Sequence, residues 1–433
     1  MTTQDIKISP LGLFIWSLGA LFFMYEFFLR TFVGSVAHQI IPDLHLNAES
    51  FATLGTAYYI TYAFMQIPVG ILTDKLGVKI VLAVATLLCG MATLLFTHST
   101  GLVTALISRV LMGLGSSFAF VCLLVILINW FPRKYFGSLS GISQFVGTMG
   151  PILGGGPLIS FITSQHESWR TALSMIAYVG VALSVLVILF VKNKPVNGPQ
   201  QLVFLQRDRP IMTNLKILAK NKQAWFIAVY SATIYISIAL LGAIWGTDYL
   251  QTRGLSQQHA ATMISLSWLG YAVGCPLLGI ISDTLHRRKP ILILCAVLGF
   301  SVTCSLLFLP LSHSVLAYGI LFFMLGIAAA GQNIGFATMA EHVDKKTKAT
   351  ALGLNNAAIM FTAAIIPALV SYSIYLTSHG SSHLTTHDFQ AGFSIMPILC
   401  FIAFLIALVL IKETFCKPQK DKILLDTKHS IHS

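Results

Sequence analysis

Charge is what this sequence lacks most. Only 10% of its 433 residues are Asp, Glu, Lys or Arg, while 56% are hydrophobic and the mean hydropathy is +0.80. A soluble domain carries about a quarter charged residues, so this chain cannot cover a water-facing surface. Cysteine is sparse where it would be useful outside a cell. Of seven, Cys89, Cys122, Cys275, Cys295, Cys304 and Cys400 lie in apolar segments and Cys416 near the C-terminus, which leaves no extracytoplasmic disulfide framework. A phosphate-cradling P-loop is missing, which argues against ATP hydrolysis, and no nucleophile–base constellation suggests an enzyme. No cofactor is expected. Metal binding is not expected either: His379, His383 and His387 recur every fourth residue, but Gly380, Ser381, Ser382, Thr385 and Thr386 read as loop.

What is present is apolar sequence in blocks of roughly 20 residues, enough for a helix to cross about 30 Å of hydrocarbon. We read twelve spans, near 11–37, 50–72, 80–97, 102–130, 137–163, 169–191, 224–250, 259–282, 290–310, 315–341, 349–377 and 391–411. The first is too long for a signal-peptide core and lacks a cleavage site, so it is expected to remain. The net charge of +12 is distributed by side: 23 of the 27 Lys and Arg fall in segments on one face of this topology. The positive-inside rule places those segments, and both termini, in the cytoplasm of a cell whose inner membrane the chain spans. The excess charge is thereby an orientation signal, and no nucleic-acid partner is expected.

The longest polar stretch, about Lys192 to Lys222, contains Pro195, Gly198, Pro199 and Pro210. It separates a six-span half (1–191) from a second (223–412), which is followed by a tail (413–433). A repeat supports the division. Gly70-Ile71-Leu72-Thr73-Asp74 closes the second span and Gly279-Ile280-Ile281-Ser282-Asp283 the eighth, 209 residues later, each after a proline and before basic residues. Internal duplication is common in secondary transporters. Gly70, Asp74, Gly77 and Lys79 resemble the loop 2–3 signature of the major facilitator superfamily. The second copy keeps Gly279, Asp283, Arg287 and Arg288 but has His286 where glycine is usual. Arg109, Gly113 and Gly115 are similar to that family's fourth-helix motif. Gly141, Gly150-Pro151 and Gly154-Gly155 are similar to its fifth-helix motif. The resemblance implies an all-α membrane protein with the 12-helix major facilitator fold, two six-helix halves and a central pathway worked by alternating access.

Each motif has a physical reading. Asp74 and Asp283 can latch onto the positive N-terminus of a neighbouring helix while Lys75 and Lys79 face anionic headgroups; alternatively they are polar turns. Gly150 and Pro151 allow close helix approach and a kink, and the resemblance associates their motif with proton antiporters. Charge at bilayer depth is costly and points to function. Glu26 and Arg30, four residues apart in the first span, share one helix face. They form either a structural ion pair or a site in which Arg30 clamps a carboxylate and Glu26 carries a proton or meets an ammonium. Arg109 either controls charge in the same site or snorkels outward. Tyr58, Tyr59, Tyr62, Tyr235, Trp268, Gln332, Asn333, Asn355 and Asn356 could line a pocket or serve packing; Trp245 reads as a lining residue or an interface anchor.

These features imply a secondary transporter that works as a monomer, with a small-molecule substrate, the proton and the lipid bilayer as its partners. The Glu–Arg pair favours symport of a carboxylate-bearing nutrient: an amino acid, a dipeptide or an organic anion. Phosphate esters are disfavoured because the seventh span lacks a second arginine. Proton-coupled efflux is the competing reading, carried by the glycine–proline motif, and a nutrient-sensing receptor is a third.

Overall fold

In a computed structural model, residues 9–131, 136–165, 167–193, 216–309, 314–343, 347–379, 381 and 384–416 are described. Most of the linker, including Arg207 and Arg209, the tail beyond Cys416, Arg133, Lys134, Lys345, Lys346 and His383 lie outside them, as do the side chains of Asp74 and Lys348. The described residues form helices and no strand. The first half contains α1 (Pro10–Ser35), α2 (Ala37–Asp43), α3 (Ala48–Leu76), α4 (Val78–Thr97), α5 (Leu102–Ser116), α6 (Ala119–Trp130), α7 (Phe136–Leu153), α8 (Gly156–Ser164) and α9 (Trp169–Phe190). The second contains α10 (Lys222–Ala243), α11 (Gly246–Thr252), α12 (Gln257–Leu285), α13 (Lys289–Phe308), α14 (Val315–Ala329), α15 (Gly331–Glu341), α16 (Lys348–Thr377), α17 (Thr386–Phe393) and α18 (Ile395–Leu405).

Ten helical stretches are long and apolar enough to cross a membrane, and the α7–α8 pair, bent by 40°, makes an eleventh. With the 29-residue α3, the expected twelve are accounted for by length. Polar caps set where several begin. Ser9, Asn47, Ser168, Asn221, Ser256 and Ser314 each accept a backbone N–H from the first turn of the helix that follows. Several spans are built from two helical segments, the fourth, tenth and twelfth among them, and the breaks in the fifth and seventh bear on how the halves meet. The fifth is interrupted between Leu153 and Gly156, where Pro157 opens the second segment. The seventh, expected as one run over 224–250, stops at Ala243 and restarts at Gly246. No proline marks that second break.

The two halves meet along α1 with α10, α3 with α16, and α7 and α8 with α12. At the end assigned to the outside, these contacts are backbone-close. A methyl group at Gly34 would lie 2.5 Å from the carbonyl oxygen of Ala243, directly against the break in the seventh span. One at Gly155 would lie 2.4 Å from Ser265 Oγ and 2.9 Å from Ala261 O. Ser265 Oγ donates to Ile152 O and accepts from Gly156 N, and Gln258 donates to Ser160. Small residues permit this approach where larger ones would hold the helices apart. Towards the other end, methyls at Gly141, Gly279 and Gly353 would meet nothing among the described residues within 4 Å. The two halves are thus in backbone contact at the end that carries Gly34 and Gly155.

Replacing Gly34 by valine should block that contact without disturbing either half alone. Transport should fall at least about tenfold, the size expected when overpacking costs 1–3 kcal/mol in one state. In a cysteine-free background, labelling of a cysteine placed at Gln257 should rise. Unchanged labelling would show that the Gly34 contact does not hold the outer end shut.

Candidate functional site

Glu26 and Arg30 are both buried, at 0% and 3% exposure. The α-helical rise brings one turn over the next, and Arg30 Nη2 donates to Glu26 Oε1 at 2.9 Å and to Oε2 at 3.0 Å. Tyr58, on α3, donates to Glu26 Oε2 at 3.1 Å. The Arg30 guanidinium lies 4.3 Å from the Phe27 ring centre and 4.8 Å from that of Tyr62. Its Nε is buried with no hydrogen-bond partner. One edge of the guanidinium is thus spent on Glu26 while another donor remains uncommitted in a low-dielectric setting, where an unmade hydrogen bond is expensive.

Arg109 does not snorkel. It is fully buried, donates from Nε to Leu54 O at 3.0 Å and from Nη1 to Leu29 O at 2.6 Å, and stacks 4.6 Å from the Tyr58 ring centre. It ties α1, α3 and α5 together just where Glu26, Arg30 and Tyr58 meet. The approach is close because a methyl at Gly113 would sit 2.4 Å from Tyr58 O. The fourth-helix motif therefore positions Tyr58, and through it Glu26.

The second half brings mostly neutral polar groups. Tyr235 Oη and both amide atoms of Asn355 are buried without partners, as is Tyr59 Oη from the first half. Tyr59 and Tyr235 lie within electrostatic range of Arg30. Other expected pocket residues are already engaged. Gln332 accepts from Tyr271 Oη at 3.2 Å, and Asn333 donates to Cys275. Trp268 donates to Gly242 O at 2.7 Å, a carbonyl in the last turn before the seventh-span break, and its ring stands 6.3 Å from Phe27 across the halves. Asn356 donates to Gln66 at 2.9 Å, another link between halves. Trp245 is fully buried and donates to Ser371, so it is no interface anchor. Phe27, Gln66 and Tyr271 were not foreseen; the only cue was their helical spacing from Arg30, Tyr62 and Cys275.

The gating residues divide. Gly150 packs α7 onto α1, for a methyl there would lie 2.1 Å from Met24 O. Pro151 follows inside the same helix. Gly77 takes a positive φ of 79°, and His286 stands at its repeat position with φ 53°. Both copies of the loop motif thus place a residue of positive φ after the helix, extended in ψ (155°) at Gly77 and left-handed helical (ψ 32°) at His286. Glycine adopts positive φ freely, whereas histidine bears a cost of about 1–2 kcal/mol, offset in part as His286 Nδ1 contacts Asp283 O. Asp283 does not cap the neighbouring helix. It accepts from Arg288 Nη1 at 2.6 Å, and Glu413 takes the helix end instead, accepting from the N–H groups of Arg288 and Lys289 at 3.0 and 2.9 Å. Glu341 completes the cluster with Arg288 at 3.0 Å. In the first half the same place is filled by amides: Asn193 accepts from Lys79 N at 2.9 Å, and Asn129 donates to Asn193 O. No contact places Arg287 in this network; its guanidinium faces Phe415. A methyl at Gly279 has open space, and Gly70 and Asp74 carry no described side-chain environment.

The sequence profile of the Major Facilitator Superfamily matches residues 15–367 and 231–425. This chain belongs to the Major Facilitator Superfamily. Among curated relatives, the hexuronate transporter of Bacillus subtilis (strain 168) is 24% identical over 282 residues, 64% of this chain, and the match spans 65% of that relative's length. A second Bacillus subtilis protein, named "Probable galactarate/D-glucarate transporter", is 23% identical over 421 residues, covering 89% of this chain and 90% of its own. Among solved structures, the fold matches an inward-facing bacterial homolog of the human lysosomal transporter Spinster. The TM-score is 0.73 at 14% identity, over 93% of this chain and 97% of that one. The chain spans about two thirds of the length of the first of these relatives, and its apolar helices make it a multi-pass membrane protein of that superfamily.

Two outcomes follow from these contacts. Glu26→Ala should lower unfolding stability by about 3–5 kcal/mol, because it leaves Arg30 buried and unpaired, whereas Glu26→Leu with Arg30→Met should recover most of that loss; thermal unfolding in detergent reads both. For Glu413, burial alone would raise the carboxyl, but the N–H groups of Arg288, Phe415, Lys289 and Thr414 outweigh it and hold it below its ordinary value. Its contribution is therefore full above the carboxylate range and disappears as pH falls through the depressed folded-state value. Glu413→Gln should cost about 0.5–1 kcal/mol at neutral pH, discounted for partial exposure, and nothing in acid.

Proposed function

We propose that this transporter moves a small carboxylate-bearing nutrient together with protons, by alternating access between the two halves. The uncommitted Nε of Arg30, beside a guanidinium edge already held by Glu26, is the observation that carries the reading. A carboxylate is the group that a guanidinium edge binds best, through charge-assisted hydrogen bonds. The names of the relatives, for hexuronate and for galactarate or D-glucarate, point to the same chemistry.

The pair supplies a coupling mechanism. With Glu26 ionised, the Arg30 charge is compensated and an incoming anion gains little. With Glu26 protonated, Arg30 holds a bare charge, and a substrate carboxylate restores neutrality. Proton and substrate each favour binding of the other, by the same factor. When Glu26 loses its proton to the opposite side, its carboxylate competes for Arg30 and expels the substrate. Tyr58, held by Arg109, keeps the Glu26 carboxyl in place in both states.

The glycine–proline motif supports efflux less well. Gly150 serves packing of α7 on α1, and Gly155 serves closure of the outer end, and both would be needed for transport in either direction. The orientation with both termini cytoplasmic, and action as a monomer, belong to this proposal.

Proteoliposomes under an imposed pH gradient test it. Wild-type protein should accumulate a carboxylate in the direction of proton flow. Arg30→Ala should abolish both accumulation and substrate exchange. Glu26→Gln should lose gradient-driven accumulation but keep exchange at zero gradient. Movement against the proton flow, or response to cationic dyes alone, would reassign the protein to efflux.

A further inference from the structure

The site offers charge compensation for one substrate carboxylate and no more. Among the described residues in the middle of the spans, Arg30 and Arg109 are the cations and Glu26 the anion; Asp248, whose Oδ2 is buried without a partner, belongs to the segment past the seventh-span break. Arg109 is committed to the carbonyls of Leu29 and Leu54 and covered by Tyr58. In the second half, Lys, Arg, Asp and Glu of the membrane spans occupy only their terminal turns, as with Lys222, Asp283, Lys289 and Glu341, or lie beyond the seventh-span break, as with Asp248. Among the described residues, the second half brings the neutral Tyr235 near Arg30.

The second half also buries polar groups that have no partner. Asn355 is fully buried, and neither its oxygen nor its nitrogen has a partner in the protein. Its depth is fixed by its neighbour. Asn356 bonds Gln66, Gln66 donates back to Tyr62 O, and the Tyr62 ring carries the Arg30 guanidinium. The helix that holds Asn355, α16, packs on both α3 and α10. The Tyr235 hydroxyl, on α10, approaches Arg30 without forming a well-aligned hydrogen bond. Buried polar groups are almost always hydrogen-bonded, and a primary amide needs both an acceptor and a donor. A hydroxyl or amide supplies both; a carboxylate supplies only acceptors, and its buried charge would go unpaired.

We infer that the substrate carries a single carboxylate and an uncharged hydrogen-bonding remote end, a hydroxyl or amide, which Asn355 reads. This rests on the reading that Arg30 takes the carboxylate, and it narrows that reading. Dicarboxylates, including the aldarates after which one relative is named, and dipeptides with charge at both ends are excluded. Sugar monoacids and amino acids with polar, neutral side chains are admitted. Asn355 is the specificity-determining residue, and closing the second half over Arg30 requires that its amide be satisfied.

Two probe pairs differ only at the remote end: galactonate against galactarate, and glutamine against glutamate. Thermal stabilisation of the purified full chain in detergent, titrated with each, gives relative affinities. In at least one pair the uncharged-end member should bind at least about tenfold tighter than its charged partner. Asn355→Leu should weaken that binding about tenfold, while the ligand-free protein melts at the same temperature or higher, since an unpaired buried amide has been removed. Binding by at least one probe but preference for the uncharged end in neither pair, with Arg30→Ala still abolishing that binding, would overturn the inference and leave the carboxylate reading standing. So would Asn355→Leu that lowers ligand-free stability and leaves affinity unchanged. Stabilisation by none of the four probes would overturn both.

Discussion

A guanidinium and a carboxylate, both out of water, govern the rest of this structure. Neither Arg30 nor Glu26 would be tolerated alone at 3% and 0% exposure, since removing one charge from a buried pair is far costlier than removing both. Their mutual neutralisation lets the first span cross the bilayer. It also creates the instability that transport needs, because a proton on Glu26 undoes the neutralisation. The surrounding groups read as consequences. Tyr58 fixes the carboxylate, Arg109 fixes Tyr58, and the Phe27 and Tyr62 rings stabilise the guanidinium by cation–π contact.

A second constraint is how close the helices approach. Without a hydrophobic drive between spans inside lipid, packing and backbone hydrogen bonds hold the bundle. Glycine is placed accordingly. Gly113 admits Tyr58 and Gly150 admits Met24, each within a half, while Gly34 and Gly155 bring the two halves into backbone contact. Contacts of the first kind persist through a rocking cycle; those of the second must break in each turnover. The broken seventh span ties the two together. Trp268 satisfies the Gly242 carbonyl beside the break, Phe27 faces Trp268, and Gly34 lies against Ala243. A change at Arg30 is one helical turn from Gly34 and stacks directly on Phe27.

Much of this was legible in the residues. Span number, helical class and the buried Glu26–Arg30 pair follow from hydropathy and helical spacing, since apolar blocks and i, i+4 geometry are local. The sequence marked His286 as a departure from the loop motif, and its positive φ of 53° shows the backbone cost of that departure. What the sequence hid was partnership at long range. The carboxylate that caps α13 is Glu413, 125 residues from Arg288, and Asp283 is drawn off by the Arg288 side chain. Arg109 could be read as controlling charge in the site or as snorkelling outward, because the carbonyls that hold it belong to other spans. The break near Ile244 has no proline, only glycines at 242 and 246, and such spacing is common in unbroken membrane helices.

The pseudo-repeat is also less symmetrical than the motif suggests. Among the described residues, ions (Glu341 and Glu413) gather around Arg288 in the second half and amides (Asn129 and Asn193) around the Lys79 N–H in the first. The central claim nonetheless concerns the shared site. Its most direct measurement is the proton uptake that accompanies binding of a carboxylate anion to purified protein in weak buffer above neutral pH. The account predicts uptake of about one proton per anion bound, because binding and protonation are linked through one carboxyl, and none in Glu26→Gln. Anion binding without proton uptake in the wild type would contradict it.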